Sequence, residues 1–460
     1  MKKLWLLVAT IAIVSCTEEV KIDYAVISGK IENSTADKLT LYNMYDFSDK
    51  KDITLGEDGS FTDTIAIQDN NMYMLAEDRS STTLHLSEGD NITINYDSKK
   101  RDSTIAIGGA GNGISVYFVN KAKETKGLSE DMPVLYAKDE AAFKESISKV
   151  RDAKQTYLES VTGLPDDFKT LEANNIKYEY LSAISIYEAY HGYFAKKQGF
   201  KASEGFDSEL EGIAYDNEAD YRYSSSYRNL AEGHYRKEAI EISKKDSTIA
   251  GDIAALKAYA QVKSDLIKNK LLYGAAQYGI TYTEDLEAYY TAFSEGSTDA
   301  ENNKIITKSY NALKLLGKGN TSPNFTDYEN YAGGTTSLDD LKGKYAYIDV
   351  WATWCGPCKA EIPSLKKVEK AYHGKNIQFI SISIDKKKDH DAWKKMIVDK
   401  ELGGVQLFAD NDWESKFIED YMIKGIPRFI LVDPSGKIVT ANAPRPSSKK
   451  LVELFDDLKI

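Results

Sequence analysis

The chain has 460 residues, of which 42% are hydrophobic, enough for two to four packed domains. Its formal net charge is −12, from 71 acidic and 59 basic side chains, which argues against a nucleic-acid backbone as partner. Cysteine is scarce, at three residues, so a disulfide framework is excluded.

Residues 1–16 read as a targeting segment. Lys2 and Lys3 precede an apolar run over 4–14 that is too short to span a bilayer, so a signal peptide is expected. Ile13-Val14-Ser15-Cys16 resembles a bacterial lipobox. That resemblance implies cleavage before Cys16 and lipid on it, anchoring the protein to a membrane without spanning it. The alternative is an ordinary secretory signal with an incidental cysteine. Thr17-Glu18-Glu19 is an acidic start of the kind that serves as a surface-export tag in some lipoproteins. With Cys16 so committed, Cys355 and Cys358 are the free cysteines.

Proline and tyrosine usage divides the remainder into three folded units. Pro133 and Pro165 are the only prolines before Pro323, whereas tyrosine concentrates in the middle. Residues 20–110 read as an N-terminal antiparallel β-sandwich. The stretches 25–31, 38–42, 83–86 and 91–96 alternate apolar with polar side chains, and turns are marked at 57–60, 87–90 and 108–111. His85 reads as an ordinary strand residue.

Residues 112–316 read as an all-α middle domain, with helical spacing over 140–161, 166–194, 219–244 and 250–278. Tyr178, Tyr180, Tyr187, Tyr190, Tyr193, Tyr221, Tyr223, Tyr227, Tyr289 and Tyr290 recur through it. They are expected to pack between helices; the alternative is an aromatic groove for a polypeptide. No metal cluster, phosphate loop or hydrolase triad stands out, and His191 and His234 are isolated.

Residues 317–344 lead into the last region, so the final domain is placed at 317–460. Tyr347-Ile348-Asp349-Val350-Trp351 reads as a buried strand and 359–372 as a helix. Between them lies Trp354-Cys355-Gly356-Pro357-Cys358-Lys359. A Cys-x-x-Cys at a strand-to-helix junction is a redox signal, because the helix N-terminus stabilises the attacking thiolate. Half of a zinc site is the competing reading, but two more ligands at suitable spacing are wanting, so no metal is expected. The Lys386-Lys387-Lys388 run reads as a solvated loop.

Residues 345–460 resemble thioredoxin-fold proteins, most closely the exported TlpA/ResA-like thiol-disulfide oxidoreductases. The resemblance rests on 348–358, Glu361-Ile362-Pro363, Gly425-Ile426-Pro427 and Asp433-Pro434-Ser435-Gly436-Lys437. The β-region likewise resembles the small domain that precedes thioredoxin modules in Bacteroidetes lipoproteins. The resemblance implies an α/β thioredoxin fold for the C-terminal domain, no cofactor, and thiol-disulfide exchange with client proteins. Cys355, as the more exposed cysteine, would be the nucleophile and Cys358 the resolving one.

Asp349 matches the buried thioredoxin acid that relays a proton, the alternative being a solvated strand-end aspartate. The lysine that accompanies this acid in thioredoxins falls near Ser381. Glu361 matches an acidic residue near the pair in the ResA-like group, or is an exposed first-turn glutamate. Pro363 should kink its helix. Gly425-Ile426-Pro427 matches the cis-proline loop, where the Ile426 backbone would pair with an extended client. Arg428 departs from the usual small polar residue and would lower a cysteine pKa or select acidic clients. Trp351 and Trp354 would pack around the site, with Trp393 and Trp413 in the core or on the surface.

The function expected is that of a membrane-anchored, periplasm-facing disulfide reductase of the outer membrane, fed by a membrane thiol donor. An oxidase or isomerase of the same fold, and a binding lipoprotein with an auxiliary redox domain, are the alternatives. A peroxiredoxin is disfavoured because Ala352 stands where its threonine should be.

Overall fold

The computed structural model describes residues 22–67 and 71–460. The stretch read as a targeting segment, with Cys16, lies outside the described residues. The chain forms two compact units, residues 1–231 and 232–460. Their boundary falls within the helix Ser225–Lys245, so the helical stretch 112–316 contributes to both.

Among the described residues the first unit contains eight strands: β1 (Tyr24–Glu32), β2 (Lys38–Asn43), β3 (Lys50–Thr54), β4 (Ser60–Ala66), β5 (Met72–Glu77), β6 (Ser80–His85), β7 (Asn91–Asp97) and β8 (Ala106–Ala110). They form two open four-stranded sheets, ordered β4-β1-β7-β8 and β3-β2-β5-β6. Ile27 and Ile94 of one sheet share a core with Leu41 and Leu75 of the other. The pairings are antiparallel, as expected of the sandwich, with one parallel pair, β1–β7. The reason is connectivity: the chain leaves the first sheet after β4, builds β5 and β6 in the second, and returns along β1 in the same direction.

The helices of this unit explain the tyrosines. Tyr178, Tyr187, Tyr221 and Tyr227 are buried. Three of these hydroxyls find internal acceptors: Tyr187 donates to the Lys138 carbonyl at 2.8 Å, Tyr178 to Asp220 at 2.8 Å and Tyr227 to the Ala214 carbonyl at 2.7 Å. This is packing with a satisfied polar tip rather than an open groove. Tyr193 is the exception, mostly exposed on its helix. His85 sits in β6 with its N–H donating to the Ser115 hydroxyl at 2.9 Å, an ordinary strand position.

The second unit begins with the helices Gly251–Tyr259, Asp265–Gly279, Leu286–Gly296 and Ala300–Lys314. Seven strands follow: β9 (Tyr328–Asn330), β10 (Thr335–Thr336), β11 (Tyr345–Trp351), β12 (Ile377–Ser383), β13 (Val405–Phe408), β14 (Arg428–Val432) and β15 (Ile438–Thr440). They form one sheet ordered β10-β9-β13-β12-β11-β14-β15. β11, β12 and β13 run parallel, joined through the helices Gly356–Ala371 and His390–Lys400, while β14 is antiparallel to β11.

Both faces of the sheet are covered. Ile348 and Val350 pack on one side with Trp393 and Phe417, and Tyr347 packs on the other with Phe429 and Phe455. Two-sided burial shows in β12, where every residue but Gln378 is buried and the apolar ones are Ile377, Phe379, Ile380 and Ile382. Pro363 lies inside a helix that runs on to Ala371. The lysines 386–388 are exposed, as a solvated loop requires.

Trp351, Trp354, Trp393 and Trp413 all belong to the second unit, so intrinsic fluorescence follows its unfolding. Ile348→Ala removes a fully buried side chain from β11 and should cost about 2–5 kcal/mol. Urea titration followed by tryptophan emission should show a correspondingly lower midpoint, with the far-UV signal of the first unit little changed.

Candidate redox site

Strand β11 ends in the loop 352–355, and this loop is pinned before the helix begins. The Thr353 N–H and hydroxyl donate to the Asp385 carboxylate at 3.0 and 2.7 Å. The Ser383 hydroxyl donates to the same carboxylate at 2.7 Å. Asp385 is buried, so its charge is balanced by these donors rather than by water. No motif singles it out; the available signal is an acid two positions beyond a buried strand.

Cys355 is the N-cap of the helix Gly356–Ala371, with Pro357 in the first turn. The Cys358 N–H donates to the Cys355 sulfur at 3.1 Å, and the two cysteines are joined in a disulfide with Cα atoms 5.3 Å apart. The Cys355 sulfur therefore meets the positive end of the helix. Both cysteines are 4% exposed, which corrects the expectation that Cys355 is the more open. What distinguishes Cys355 is its capping position. Trp354, next to Cys355 in the chain, is 54% exposed, with its ring centre 6.5 Å from that of Trp413. Trp413 thus belongs beside the site, whereas Trp393 is wholly core.

The peptide bond Ile426–Pro427 is cis. Pairing of Val350 with Arg428 brings this loop to the end of β11, and Ile426 packs on the cluster that contains both cysteines. Pro427 is buried and Ile426 half-buried. Among the described residues nothing hydrogen-bonds the Ile426 N–H or C=O, leaving a short free edge of backbone.

Arg428 is placed differently from either expectation. It is buried, and its guanidinium donates to the Thr281 carbonyl at 2.6 Å and to the Thr281 hydroxyl at 3.0 Å. It lies 4.1 Å from the centre of the Tyr282 ring. An arginine so occupied presents no charge to an acidic client, and its bonds are spent on Thr281 rather than on the cysteines.

Asp349 projects from β11 with its Oδ1 shielded and without a hydrogen-bond partner. Burial, and secondarily the negative charge of Glu361, push its pKa up to about 8. The alternative of a solvated strand-end aspartate is thereby set aside. Ser381 stands directly opposite it in β12, the place where the accompanying lysine was sought. Glu361 is also buried, which corrects the exposed alternative. Its carboxylate is held by the Ser447 N–H at 3.0 Å and the Ser447 hydroxyl at 2.8 Å. Among the described residues no group of three or more His, Cys, Asp or Glu could hold a metal ion.

A strand, a reactive pair at a helix N-terminus, a buried acid and a cis-proline loop on one mixed sheet define a thioredoxin-like redox domain. Residues 317–454 match the Redoxin family model. Among curated proteins, the thiol-disulfide oxidoreductase ResA of Bacillus subtilis is 28% identical over 28% of this chain and 72% of its own length. ResA of Bacillus anthracis is 32% identical over 26% of this chain and 66% of its own length. Among solved structures, the thioredoxin domain of a thiol-disulfide oxidoreductase from Bacteroides vulgatus is 31% identical, covering 31% of this chain and 98% of that one, with TM-score 0.28. The likeness to the Redoxin model therefore lies in the C-terminal region, whose curated relatives are named thiol-disulfide oxidoreductases.

The raised pKa of Asp349 has a thermodynamic consequence. The folded protein keeps this proton up to about pH 8, whereas an unperturbed aspartate releases it near 3.8. Between these values the folded state binds more protons than the unfolded one. The stability contributed by Asp349 is therefore full below about pH 4 and is lost as pH rises through 8. Asp349→Asn abolishes the titration. The Tm of the oxidised variant, relative to wild type, should climb steadily from about pH 5 to about pH 8.5; a difference independent of pH would contradict the shift.

Proposed function

We propose that this protein is an exported, lipid-anchored thiol-disulfide oxidoreductase that reduces disulfides in client proteins. The observation that carries the reading is the Cys355–Cys358 pair at a helix N-terminus, packed with Ile426, whose backbone edge is unpaired. An extended peptide can add to that edge as a strand, presenting its disulfide to Cys355.

In the reducing direction, the Cys355 thiolate attacks one client sulfur and the other leaves as a thiolate. Cys358, once deprotonated, attacks the Cys355 sulfur of the mixed disulfide. The client is released as a dithiol and the pair closes, two electrons having passed to the client. Asp349 takes the Cys358 proton, a task suited to an acid whose pKa is pushed up to about 8. Glu361 contributes through its charge, which raises Asp349 further. Trp354 lines the client surface, while Pro427 shapes the receiving loop.

The direction of electron flow is supported by Gly356-Pro357, the dipeptide of reducing thioredoxins. A membrane thiol donor would restore the dithiol. Anchorage to the periplasmic face of the outer membrane through lipid on Cys16 is supported by the sequence Ile13-Val14-Ser15-Cys16.

Equilibration of the Cys355–Cys358 pair in graded thiol buffers, read by Trp354 emission, tests the direction. A potential near the thioredoxin value of about −270 mV is expected, and one near about −120 mV would make disulfide formation the task instead. Cys358→Ser should accumulate mixed disulfides with clients through Cys355. Cys355→Ser should reduce polypeptide disulfides no faster than the background reaction.

A further inference from the structure

We propose that the turn 277–284, formed by the end of the helix Asp265–Gly279 and the connection to the helix Leu286–Gly296, is a wall of the client site, with Tyr282 as a positioning residue for the cis-proline loop. This rests on the polypeptide-reductase reading above. The turn lies outside the Redoxin match, yet it grips the loop on both sides of the free backbone edge. Upstream of that edge, the Lys424 amine donates to the Gln277 carbonyl at 3.0 Å, and the Tyr282 hydroxyl donates to the Gly425 carbonyl at 2.8 Å. Downstream, Arg428 donates twice to Thr281. Asn442 donates to the Tyr282 carbonyl at 2.7 Å. Only Ile426 and Pro427, the residues an incoming strand would meet, are left without a bond to the turn.

Burial makes this grip permanent. Arg428 is 3% exposed, and withdrawing Thr281 would strand a desolvated guanidinium without acceptors. The turn is therefore a fixed part of the site rather than a lid. Tyr282 remains 36% exposed, so its ring also offers a surface beside the loop.

Gly425 records how close the approach is. A Cβ there would stand 2.7 Å from the Tyr282 hydroxyl, nearer than real side chains come. Its φ lies outside the left-handed region, so closeness to Tyr282 is what calls for glycine, not backbone shape.

Holding the Gly425 carbonyl fixes the plane of the peptide that carries the Ile426 N–H. A client strand that pairs with that N–H profits from the fixed geometry; a small disulfide, which reacts at sulfur alone, does not. The two substrate classes therefore respond differently to loss of the Tyr282 hydroxyl.

The test compares the full chain with its Tyr282→Phe, Gly425→Ala and doubly substituted forms. Arg428 is left intact because its burial would invite a folding defect. Insulin serves as the polypeptide substrate with dithiothreitol as electron donor; dithiobis(nitrobenzoate), which dithiothreitol reduces directly, is given in single turnover to the pre-reduced protein freed of donor. Tyr282→Phe should raise KM for insulin about threefold to tenfold, the worth of one neutral hydrogen bond. Its kcat, its rate with the small disulfide and the potential of the Cys355–Cys358 pair should match wild type. Gly425→Ala should act in the same direction, and the double variant should lose less than the product, because the methyl group occupies space the hydroxyl vacates. Unchanged KM in variants that retain full activity on the small disulfide would overturn the proposal alone, as would equal losses on both substrates. A wild-type protein that reduces the small disulfide but no polypeptide would overturn the client reading, and this proposal with it.

Discussion

The buried carboxylate of Asp385 is the fixed point of the redox region. It stands just beyond β12 and takes up three donors, two from Thr353 and one from Ser383. Thr353 lies between β11 and the cysteines, so this bonding decides where the chain leaves the sheet. Only then does Cys355 arrive as an N-cap, with its sulfur at the end of the helix where a negative charge is best tolerated. A buried charge with all its donors in place is costly to disturb, which makes it a rigid support for a group that must react.

The two acids nearer the pair show how the same side-chain chemistry is split by surroundings. Asp349 has an oxygen with no donor and is driven towards its neutral form. Glu361 has Ser447 donating to both of its oxygens, and its charge adds to the pressure on Asp349. One carboxyl is thus left able to exchange a proton near neutrality, chiefly through burial, and the charge of the other adds to that shift.

Much of this was legible in the chain. The strand, the Cys-x-x-Cys pair and the following helix are local in sequence, and local signals place them correctly. Gly425-Ile426-Pro427 also announces its cis bond once the family resemblance is noted. The unread features share one cause: their meaning depends on partners distant in sequence. Asp385 is ordinary until Thr353 meets it, 32 positions away. Glu361 looks like a first-turn surface residue until Ser447 arrives from 86 positions on. Trp413 gains its place only through Trp354. In the first unit, parallel β1–β7 pairing is invisible to alternation, which reports faces and not neighbours. β8, with the sequence Ala-Ile-Gly-Gly-Ala, was masked by glycines that read as a turn.

The bonding of Arg428 to Thr281 bears on how such a chain can be rearranged in evolution. The recognisable redox module starts at residue 317, but a buried arginine inside it finds its acceptors on Thr281, in a turn that precedes that start. A recombination event that joined the C-terminal third to a different front portion would inherit a desolvated guanidinium with no acceptor. The heritable unit is therefore longer than the conspicuous motif and includes at least the turn 277–284. An arginine directly after the cis-proline is accordingly expected to travel with that turn, and a small polar residue to return wherever the turn is lost.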